Sequence, residues 1–145
     1  VIMRAVSAVR RLWEAISEPR HLKAFYFCVY LITTAVGMVT ITNPPSSVEW
    51  RLGTALTLFW AVLITLGGLG GTVAVLPGWW WVERSSIGLI LAGAGIYEAT
   101  VLAAQINAEP GSSRWTQMGF IVLAAAVFIV RMMLTRRWDY EPRRG

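Results

Sequence analysis

The chain has 145 residues, 56% of them hydrophobic and 14% charged, with a mean hydropathy of +0.56. That balance exceeds what a soluble domain of this length hides in one core, so a bilayer is the solvent to reason with. The net charge of +5 gathers in two terminal blocks flanking apolar runs, which reads as topology and excludes a nucleic-acid-binding stripe. The single cysteine, Cys28, excludes an internal disulfide framework and a cysteine-built metal site, and reads as a small core residue.

Val1 reads as a GTG start codon translated literally. In residues 1–18, Ile2, Val6, Val9, Trp13 and Ile16 recur at spacings that share one helical face, with Arg4, Arg11, Glu14 and Glu18 elsewhere. This predicts an amphipathic helix lying in the headgroup plane, or else docked on the protein itself. Its charges rule out a span or the apolar core of a cleavable signal peptide.

Pro19 separates that segment from an apolar run over residues 24–42, long enough to cross the hydrocarbon and crowded at its start by Phe25, Tyr26, Phe27 and Tyr30. Residues 43–52 read as a short polar turn, and residues 53–76 as a second span. There Gly67 and Gly71 form a G-x-x-x-G pair, which permits close approach of a neighbouring backbone or marks a weak, kinked helix end.

Pro77 and Gly78 make the next turn. Trp79, Trp80 and Trp81 anchor it at headgroup level beside the charge pair Glu83 and Arg84. The third span covers residues 85–106. Gly88, Ala92, Gly95 and Ala99 form a small-residue stripe on it, expected to meet the glycine-rich end of the second span. Residues 107–114 form a turn, and residues 115–134 the fourth span, entered at Trp115, with Arg131 near its exit and able to snorkel to water. Residues 135–145 form a basic tail.

The fold expected is all-α: an integral membrane four-helix bundle over residues 19–134, preceded by the amphipathic interfacial helix. Its partners are the lipid bilayer and further copies of itself. Orientation follows from the basic residues. Arg4, Arg10, Arg11, Arg20, Lys23, Arg84, Arg131, Arg136, Arg137, Arg143 and Arg144 fall on one side, against Arg51 and Arg114 on the other. That asymmetry places both termini in the cytoplasm of a bacterium, with the spans in its inner membrane.

No P-loop, dinucleotide fingerprint, nucleophile elbow or zincin motif is present, and the only aspartate, Asp139, lies in the tail, so no enzyme activity, cofactor or metal is expected. The only histidine, His21, sits in an interfacial basic cluster, where a headgroup-level role outweighs a pH switch. Glu98 is the chemical exception, lying ~4 Å from the middle of its span at 1.5 Å rise per residue. With Gln105 on the same face, it reads either as a proton-sensitive lining of a pore or oligomer contact, or as a carboxyl hydrogen-bonded between helices for packing. Tyr30, Thr33, Thr34, Thr65 and Gln117 are its expected partners.

The blocks EPRHLKAFYF (residues 18–27), NPP (43–45) and PGWWWVER (77–84) together resemble a group of small four-span membrane proteins of actinobacterial phages. The resemblance covers much of the chain through topological motifs and carries no catalytic residues. It implies a holin-like role, in which copies pack through small residues and open a lesion for a murein-degrading enzyme. The alternative is an interaction protein that modifies the envelope or excludes competing phages by binding a host or phage membrane protein. A small transporter would need more intramembrane polar groups than Glu98, Gln105 and scattered threonines supply.

Overall fold

Long runs of Leu, Ile, Val, Ala and aromatic residues, interrupted only by short Pro-, Gly- and Asn-containing links, give the chain four helices. The computed structural model describes residues 20–44, 46–108, 111 and 113–138, of which 46–52 and 136–138 are described by their backbone alone. The helices are α1 (Arg20–Thr42), α2 (Ser46–Val75), α3 (Trp80–Ile106) and α4 (Trp115–Trp138). The amphipathic segment expected over residues 1–18 and the tail beyond Trp138 lie outside the described residues.

All four helices are long and apolar enough to cross a membrane. Ile32, Val39, Val73, Ile106, Phe120, Leu123 and Met133 all point outward, a surface that fits a multi-pass membrane protein. Cys28 also faces outward from α1 and does not join the core.

The helix bounds differ from the sequence expectation in two places. The expected polar turn at 43–52 is helical in backbone from Ser46, and the break falls at Gly53, whose φ of 76° and ψ of 155° are open to glycine. Helix α3 starts at Trp80, not near Ser85, because Gly78 at φ 80° completes the reversal on its own. Glu83 therefore lies inside the helix, and its N–H donates to the Trp79 carbonyl at 2.9 Å. At the other end of α3, Asn107 closes the helix with its backbone and side-chain N–H groups, both donating to the Ala103 carbonyl, at 3.2 and 2.8 Å.

Consecutive helices pack as antiparallel neighbours, α1 on α2, α2 on α3 and α3 on α4. Glycines set the tightest approaches. A Cβ on Gly68 would lie 2.7 Å from the Thr34 backbone nitrogen of α1, and one on Gly67 would lie 2.7 Å from the Ser86 carbonyl of α3. Gly71 makes room for the Tyr30 ring. The hydroxyls of Thr34, Thr65, Thr72, Ser86 and Thr100 donate to carbonyls one turn back on their own helices, which satisfies them without a neighbour.

The expected meeting of the two small-residue surfaces does not occur. Gly88, Ala92, Gly95 and Ala99 face outward, with open space around Gly88 and Gly95. The face of α3 that meets α2 is instead the one carrying Ser86, Ile90 and Gly93, whose added Cβ would lie 2.7 Å from Ile64. Helix α4 is the least enclosed: 17% of its span is buried, against 44% for α2, so its attachment depends on a few contacts.

Candidate functional site

Those contacts cluster at one end of the bundle, where α1 and α3 begin and α2 and α4 finish. Here Glu83 and Arg131 are both buried, at 1% and 5% exposure. Arg131 Nε donates to Glu83 Oε1 at 2.6 Å, and Nη2 donates to Oε2 at 3.0 Å, a two-pronged pairing that fixes both side chains. This corrects two expectations. Glu83 does not form a headgroup-level pair with Arg84, and Arg131 turns into the bundle rather than snorkelling outward. The physical reason is that an acid and a base at matching depth on facing helices neutralise each other in a medium where either alone would be costly.

Helix α1 completes the cluster with residues four apart on one face. The Tyr30 hydroxyl donates to Glu83 Oε1 at 3.1 Å, so both carboxylate oxygens are engaged. Tyr26 puts its ring 4.8 Å from the Arg131 guanidinium carbon, a cation–π contact, and its hydroxyl donates to the Val127 carbonyl at 3.1 Å. The Tyr30 and Phe128 rings lie 5.7 Å apart. Lys23, one heptad before Tyr30, is also buried on that face. The position of Glu83 in the first turn of α3 adds the favourable end of the helix dipole. The cluster acts as a clasp joining α1, α3 and α4.

The opposite half is open. A cleft of about 460 Å³ is lined by all four helices, among them Val36, Trp60, Tyr97 and Ala124, and ends at Phe128 beside the clasp. Trp60 stacks on Tyr97 at 4.8 Å, and the Tyr97 hydroxyl accepts from Gln117 Nε2 at 2.6 Å. Gln105 Oε1 accepts the backbone N–H of Arg114 at 2.7 Å, tying the end of α3 to the start of α4.

Glu98 sits half-buried on α3, with Oε2 lacking a hydrogen-bond partner. None of its expected partners reaches it: Tyr30 serves Glu83, Gln117 serves Tyr97, and Thr33, Thr34 and Thr65 donate to carbonyls of their own helices. Trp79, Trp81 and Trp115 are exposed, and Trp80 is just so. Gly67 and Gly71 lie inside the bundle, whereas Gly88, Ala92, Gly95 and Ala99 lie on its outside.

Sequence reasoning passed over Glu83, Arg131, Tyr26 and Tyr30 as a set. The signal was an acid and a base in two apolar runs at the same end, with two tyrosines one turn apart in a third. No group of acidic, histidine or cysteine side chains able to hold a metal occurs among the described residues. No family model, curated protein or solved structure matches the chain.

Proposed function

We propose that this is a multi-pass protein of the bacterial cytoplasmic membrane, with both ends in the cytoplasm, that acts by lateral association in a holin-like manner. In this reading, copies accumulate in the bilayer, pack helix against helix and open a lesion that releases a murein-degrading enzyme; the protein performs no catalytic step. The observation that carries the reading is the outward stripe of Gly88, Ala92, Gly95 and Ala99. Lipid gives no hydrophobic reason to keep a helix surface small, whereas a second helix does, because small residues let backbones approach closely. The basic residues at the clasp end and the all-round apolar surface support the insertion and its orientation.

The test is induced expression in a bacterium carrying a co-expressed endolysin, with membrane potential followed over time. Abrupt depolarisation and endolysin release are expected, and Gly95→Leu, which enters open space, delays or abolishes both while leaving membrane accumulation intact. Normal growth combined with resistance to phage infection would overturn the lysis role in favour of an exclusion role on the same face.

A further inference from the structure

We propose that the cleft between α1 and α4 is a phospholipid site, holding one acyl chain with the lipid phosphate on Arg114. The inference rests on the bilayer insertion proposed above and not on the holin-like role. Helices α1 and α4 meet at the clasp, through Tyr26 with Val127 and Tyr30 with Phe128, and beyond it Ala94, Ala124 and Ala125 leave the space unfilled. None of the described residues that line the cleft is charged. The hydroxyls of Thr33 and Thr40 donate to the carbonyls of Val29 and Val36, so these residues add little polarity. Water there would give up hydrogen bonds, while a hydrocarbon chain gives up none.

Arg114 supplies the head of the site. Arg114 immediately precedes α4, seven residues before Ile121 and fourteen before Phe128, so it stands at the end of the cleft-lining face away from the clasp. Its backbone is held by the bond to Gln105 and by the Met118 N–H donating to its carbonyl at 3.0 Å. The guanidinium Nε is nevertheless buried without a hydrogen-bond partner, and Glu98, whose Oε2 is also without one, does not supply it. A buried arginine nitrogen calls for an anion, and phosphate suits the guanidinium fork. The lengths also agree. The fourteen helical residues from Trp115 to Phe128 span ~21 Å, and one leaflet with its headgroup region is about 20–22 Å thick.

The test reconstitutes the full chain into phosphatidylglycerol vesicles in which one acyl chain carries a diazirine, and maps the photo-adducts by mass spectrometry. Val36 and Ala124 are expected to be labelled about tenfold more than the outward residues Val73 and Ile106, the ratio given by ~1.4 kcal/mol of preference. Ala124→Trp, which fills the cleft, reduces that labelling to the outward level. Arg114→Gln lowers it about tenfold, and Arg114→Lys restores part of it. Equal labelling of cleft and outward positions, or cleft labelling unchanged in Ala124→Trp and Arg114→Gln, would mean surface lipid only and would overturn the site while leaving insertion intact. No labelling anywhere, with the chain washed off the vesicles by alkaline carbonate, would overturn both.

Discussion

The two halves of the bundle solve the same problem in opposite ways. At the clasp end, Glu83 and Arg131 are buried together, and the carboxylate takes hydrogen bonds on both oxygens. In the opposite half, Trp60 Nε1, Glu98 Oε2 and Arg114 Nε are buried without partners, and a cleft separates α1 from α4. The difference teaches that the four helices are not equally committed to one another. Three are drawn together by polar contacts at one end, while the other end keeps polar capacity in reserve, which is where an outside ligand has something to gain.

The sharpest way to break this contrast is Glu83→Gln, which leaves Arg131 buried and unpaired. It should cost about 3–5 kcal/mol of stability, read from denaturant unfolding of the full chain in mixed micelles. The double replacement Glu83→Leu with Arg131→Met should recover most of that loss, because two apolar side chains remove the burial cost along with the attraction. A single-variant loss below ~1 kcal/mol, the range of an exposed pair, would show that the clasp is not what holds α4. Next in size is Tyr30→Phe, which keeps the ring on Phe128 and removes one donor from a charged acceptor. The expected loss is about 1.5–3 kcal/mol by the same measurement. The smallest effect, and of opposite sign, belongs to Glu98→Leu. Removing an unsatisfied buried oxygen should leave stability unchanged or raise it by about 1 kcal/mol. A loss as large as that of Glu83→Gln would mean that Glu98 has a partner after all and that the two halves are alike.

Several features of this architecture were legible before any tertiary contact was known. Each apolar run is long enough for a spanning helix, and Pro77 with Gly78 marks a tight reversal. The faces were not legible, and α3 shows why. Gly88, Ala92, Gly95 and Ala99 make the more regular small-residue pattern, yet the buried face is turned toward Ile87, Ile90 and Gly93. On a water-soluble helix, polarity would have told the two apart. On a helix apolar all round, a small-residue stripe is equally suited to a neighbour inside the bundle or outside it.

Polar residues obeyed the same division. Glu98 drew attention by its depth in the run, and the sequence alone established that it is an isolated carboxylate in apolar surroundings. Which carboxylate would be paired depended on the relative rotation and depth of three helices. That arrangement brings Arg131 to Glu83 across 48 residues of chain and sets Tyr30 above them. Element type, length and the charge bias between the two ends follow from local composition, because each helix satisfies its own backbone and its apolar length measures the hydrocarbon it suits. Partner choice followed only from tertiary packing, because a charge fixes the need for a counter-charge while the register between helices decides which one comes within reach.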